Sequence, residues 1–127
     1  MKKTKIKFGP EKYWVEVRLY NTIQELRKQF KDEKEAEGLY RPEPFTVYPK
    51  LKIPDKMGII YLAKEKLGVG YITHEVLHCI FDYAHKILRG NQDTLDLDNN
   101  EDLEKLCWRQ GYITKEICNW LYKIKIW

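Results

Sequence analysis

The 127 residues predict a single domain of the α+β class, with a small mixed sheet of about three strands followed by C-terminal helices. Three observations predict it. β-forming segments are confined to the part before residue 64. Everything beyond residue 70 carries helical periodicity. The length suits one modest core and no more. The chain is 43% apolar and 33% charged, which is the balance of a globular protein.

The elements follow in order. Lys2, Lys3, Lys5 and Lys7 alternate with Thr4, Ile6 and Phe8 and read as an N-terminal tail, with a basic strand or contact arm as the alternative. Residues 13–20 alternate and are rich in Val, Tyr and Trp, which predicts a strand. Asn21 or Thr22 can cap a helix that carries Ile23, Leu26 and Phe30 on one side and runs to about Glu37. Its last seven residues, 31–37, are nearly all charged and read as a solvated helix end stopped by Gly38. Pro42 and Pro44 mark a loop, and residues 45–48 a short strand. Residues 57–63 are the strongest strand of the chain. A Lys- and Gly-rich turn leads into a helix over about 71–88, stopped by Gly90. A polar, acidic loop follows, then a helix to Gln110 ended by Gly111, then a last helix capped by Thr114.

Totals exclude some functions. No apolar run approaches the roughly 20 residues needed to cross a bilayer, so no membrane partner is expected. The basic start lacks the apolar segment of a secretory signal, so a cytoplasmic location is expected. Net charge is +4 with no dense basic stripe, so nucleic acid is not the expected partner. Cys79, Cys107 and Cys118 form no C-x-x-C pair, which argues against a disulfide framework and against a cysteine-rich zinc site.

The chemistry lies in the helix over 71–88. His74, Glu75, Val76, Leu77 and His78 spell H-E-x-x-H. Residues four apart stack on one helical face, so the two imidazoles can share one cation while Glu75 reaches a water beside it. At about 100° per residue, Ile72, Val76, Leu77, Ile80, Phe81, Ala84, Ile87 and Leu88 fill a wide apolar arc. His74, Glu75, His78, Asp82 and His85 share the one polar stripe. All three histidines of the chain fall on that stripe, whereas an ordinary wet face carries mostly Lys, Glu and Gln. A continuous helix places His85 about 10 Å past His78, too far to join the same ion. Asp82, one turn on, suits a supporting or cleft-lining place.

A catalytic zinc needs a third protein ligand. With no further histidine, the source is a carboxylate on the next helix. The wheel puts Leu103, Cys107 and Gly111 on the inward arc, with Glu104 directed at packed surface, Glu101 at the arc's edge and Asp102 away from it. A carboxylate facing an apolar surface needs a partner, and a cation supplies one. Glu104 is therefore the preferred third ligand and Glu101 the alternative.

These residues resemble a known group. Residues 58–63, residues 70–78 with the H-E-x-x-H run, and Glu104 to Cys107 are similar to the small zinc metallopeptidases of bacteriophages and mobile elements, which are zincins with a glutamate as third ligand. The likeness covers residues 58–122. It implies a zincin-like fold whose edge strand, here 58–63, borders the cleft. It also implies one Zn2+ per chain on His74, His78 and Glu104, with Glu75 as general base. The group often has Asn just before the third ligand. Here Leu103 stands there, while Glu101 does follow Asn100.

The expected activity is hydrolysis of a peptide or protein substrate by water activated at the zinc. Tyr71, Tyr83 and Tyr112 are candidates to steady the developing oxyanion. The competing reading is a zinc-binding interaction module without turnover. Retention of Glu75 favours the enzyme, since a purely structural site has no use for a base.

Overall fold

The structure, a computed structural model, describes residues 1–46, 48–88 and 100–127, and not the side chains of Leu88, Asn100, Glu101 and Asp102. The α+β class holds: a four-stranded mixed sheet carries helices on its faces. The strands are β1 (Lys2–Lys7), β2 (Trp14–Tyr20), β3 (Leu39–Pro42) and β4 (Lys56–Ala63), in spatial order β1-β2-β4-β3. β1 and β3 are antiparallel to their neighbours, and β2 runs parallel to β4.

Strand alternation sorts the side chains. Ile6, Val15, Val17, Leu19, Ile60 and Leu62 point into the main core, where they meet α2 (Val69–Tyr83) and α3 (Asn100–Lys123). Tyr20, Tyr61 and Ala63 belong to a second cluster, closed by Leu26 of α1 (Ile23–Arg27). Tyr61 sits there between the stacked Tyr20 ring and the edge of Phe30.

Several expectations are corrected. The basic start is a paired strand, because Ile6 and Phe8 are buried and each residue from Lys2 to Lys7 pairs with β2. α1 has only five residues. Thr22 caps it as expected, its Oγ1 accepting from the Glu25 amide at 3.1 Å, but beyond Arg27 only Phe30 and Ala36 pack, too few to hold a helical stripe, and the chain leaves the helix. The fourth strand is β3, in the stretch read as a Pro-marked loop. Around the expected strand 45–48 there is only an isolated pairing of Thr46 with Lys52, and Val47 lies outside the described residues. β4 is interior rather than at the edge, since β3 covers its outer side.

Gly58 explains how closely β3 and β4 approach. A Cβ there would lie 2.4 Å from the Arg41 carbonyl oxygen and 2.6 Å from the Tyr40 hydroxyl. Gly111, in contrast, does not stop a helix: α3 runs straight through it. The packed stripe of α3 is therefore Leu106, Arg109, Ile113, Ile117 and Leu121, while Leu103 and Cys107 are exposed. One continuous helix therefore sets the phase of its first turns from the core residues of its second half. Among the described residues no helix is long and apolar enough to cross a membrane.

Candidate metal and active site

α2 (Val69–Tyr83) is preceded by Gly68 at its N-cap and continues into one π-turn, Ala84–Leu88. Its packed stripe is Ile72, Val76, Cys79, Ile80 and Tyr83. Leu77 and Phe81, expected in the apolar arc, remain 38% and 48% exposed, because the sheet and α3 cover only the opposite side. His74 and His78 stand on the exposed side, one turn apart.

Their two Nε2 atoms are 3.3 Å apart. Two zinc–nitrogen bonds of about 2.0–2.1 Å meeting at the tetrahedral angle put their nitrogens about 3.3–3.4 Å apart. The pair thus has the bite of a tetrahedral cation. The donors are two borderline-soft nitrogens, which suit zinc.

Glu75 differs from both histidines. Its side chain is 8% exposed, against 68% for His74, and its Oε1 lies 3.9 Å from His74 Nε2. Its Oε2 is buried with no hydrogen-bond partner. Burial pushes this carboxyl above the usual carboxylate range, and the neighbouring His74 pulls it only part of the way back. A buried carboxyl oxygen left unmatched costs stability, so its retention points to a ligand or water that completes it.

Two recesses, each of about 440 Å³, meet at Gly38, His74 and Glu75. One extends toward the start of α2, past Gly70 and Tyr71. The other extends toward His78 and Asp82 and is walled by Leu39, Tyr40 and Pro42 of β3. The strand bordering the cleft is thus β3 and not residues 58–63.

Asp82 lines this second recess, and one of its carboxylate oxygens is held by two donors. Oδ2 lies 2.5 Å from the Tyr40 hydroxyl and accepts from Lys86 Nζ at 2.9 Å. Lys86 also donates to the Glu43 carbonyl at 2.7 Å and the Met57 carbonyl at 3.3 Å. Asp82 therefore braces β3 against α2 rather than supporting the histidines. Burial holds the Tyr40 hydroxyl protonated, with the Cys79 and Asp82 groups adding to the effect. Nothing in the sequence marks Tyr40, because its four-residue strand is too short to show a periodicity.

Of the three candidate tyrosines, Tyr71 lines the cleft and donates to Glu37 Oε2 at 2.8 Å. Tyr83 is buried and donates to Glu11 at 2.9 Å, and Tyr112 stacks on Trp108 with ring centroids 5.2 Å apart. Neither lines the two recesses. His85 is exposed in the π-turn, its ring 6.4 Å from that of Phe45.

The carboxylate expected to complete the site is not drawn in. Glu104 is exposed on α3, and the packed surface thought to face it is met by Leu106 and Arg109 instead. Among the described residues no three His, Cys, Asp or Glu side chains are gathered around a common point. The Glu101 side chain lies outside the described residues. Compared with protein-family models, curated proteins and solved structures, the chain has no match.

Proposed function

We propose that this protein is a zinc-dependent peptidase, with His74 and His78 as metal ligands, Glu75 as general base, and a third ligand from the start of α3, Glu104 or Glu101. One observation carries the reading. A buried, unpartnered carboxyl stands beside two imidazole nitrogens separated by the bite of a tetrahedral ion.

A zinc ion held there would supply Lewis-acid polarisation and a water acidic enough to lose its proton near neutral pH. The remaining work belongs to the protein. Glu75 takes the proton of the attacking water and returns it to the leaving amine. Its burial, which raises its proton affinity, suits a group that must hold that proton in transit. β3 presents an edge along the cleft, where an extended peptide can pair through its backbone. Tyr40, Asp82 and Lys86 fix the distance between that edge and α2.

The test is hydrolysis of an unstructured protein substrate by the zinc-loaded chain and by Glu75→Gln. The wild type should cleave, and the variant should bind the same amount of zinc with activity reduced by about 10²-fold or more. Zinc binding by both without turnover by either would leave a metal-binding interaction module instead.

A further inference from the structure

We propose that the cleft selects extended segments bearing Lys or Arg on both sides of the bond presented to Glu75, and that residues 31–37 are the selecting element. This rests on the peptidase reading.

The charged run is not a solvated helix end. It is tied down along its length. Arg27 donates from Nε to the Ala36 carbonyl at 2.9 Å and from Nη2 to the Glu35 carbonyl at 3.1 Å. Arg41 donates to Asp32 at 2.8 Å, and Tyr71 of α2 holds Glu37. The run so pinned forms a cleft wall. Glu35 and Glu37 line the recess toward the start of α2, and Glu33 lines the other.

Among the described residues no Lys or Arg lines either recess, although Lys31 and Lys34 belong to the same run. Asp82 is offset by Lys86, whereas Glu33, Glu35 and Glu37 make no ion pair among the described residues. Glu75 lines both recesses where they meet, and its Oε2 is buried there without a hydrogen-bond partner among the described residues, which marks the place as a ligand site. Alternate side chains of an extended peptide are about 6.6–6.8 Å apart. A segment centred at Glu75 therefore reaches into both recesses, and cationic side chains there meet carboxylates. A cation on the histidines would occupy the centre, so the selection acts on the flanks.

The test uses the full chain and labelled peptides differing only in flanking residues: Lys-rich, neutral or Glu-rich. Binding is read by fluorescence anisotropy on zinc-loaded Glu75→Gln, and again on metal-free protein. The Lys-rich peptide should bind about tenfold tighter than the Glu-rich one at low salt, and added salt should erode the difference. Glu33→Gln, Glu35→Gln and Glu37→Gln together should abolish the preference. Glu35→Gln alone, at an exposed position, should weaken it if the triple variant is poorly folded. Equal binding of all three peptides, no measurable binding of the Lys-rich one, or a preference that survives the substitutions would overturn the proposal. A wild type that binds Lys-rich peptides selectively without cutting them would refute the peptidase reading alone. Equal cutting of all three would refute the selection alone.

Discussion

Replacing Gly58 by Ala tests the packing that sets the cleft's width. The added methyl would sit 2.4 Å from the Arg41 carbonyl oxygen and 2.6–2.7 Å from Oη and Cζ of Tyr40. A carbon and an oxygen in contact need more than 3 Å, so β3 must move by well over half an ångström or lose its pairing with β4. Inserting a methyl into a filled site costs about 1–3 kcal/mol. Here the shift also strains the hydrogen bond between Tyr40 and Asp82. We therefore expect a loss of about 3 kcal/mol, which for a chain of this size lowers Tm by about 10 °C. Urea unfolding with a shared m-value gives the measurement. The nearest atom is backbone, so trimming Tyr40 to Ala in the same chain should not restore stability. A single variant within about 0.5 kcal/mol of wild type, or rescue by the Tyr40 truncation, would refute the reasoning.

Gly111 should behave in the opposite way. A Cβ there meets nothing within 4 Å, so Gly111→Ala should stabilise α3 by about 0.5–1 kcal/mol, read by thermal melting. Lys86→Met removes a buried ammonium from three acceptors and leaves Asp82 with Tyr40 alone. A loss of about 3 kcal/mol or more is expected by urea titration, and a neutral result would show that the brace carries no strength. Burial alone would raise the Glu16 carboxyl, but the adjacent Arg18 and Lys56 hold it below the ordinary value of 4.5. Its stabilising contribution is therefore present above pH 4.5 and lost as pH falls through the lower folded value. Stability curves of wild type and Glu16→Gln should converge on acidification, and parallel curves would contradict this.

Some of this molecule is readable in the chain, and the reasons differ by element. β2 announces itself through Val15, Val17 and Leu19 in alternation, and β4 through an almost continuous apolar run. The histidine face of α2 is readable because helical geometry alone brings residues four apart together. β3 is not readable: four residues closed by Arg and Pro are too short a run to signal a strand, and the backbone of β4 recruits them. The end of α1 was misplaced because side chains that can favour a helix do so only when one side packs, and residues 31–37 hold Arg27, Arg41 and Tyr71 instead. Gly111 weakens a helix by about 1 kcal/mol, which Ile113, Ile117 and Leu121 in the core easily outweigh. The same misplaced stop rotated the first turns of α3 on the wheel and made Glu104 look inward-facing.

The histidine pair is the centre of this account, and metal content addresses it directly. The chain should be stripped with chelator, reloaded with zinc, passed through a desalting column and analysed for bound metal. The account predicts near one zinc per wild-type chain, little in His74→Ala/His78→Ala, and a sharp drop in Glu104→Ala, or in Glu101→Ala if that residue is the third ligand. A wild type that retains no zinc, or a double-histidine variant that retains as much, would contradict it.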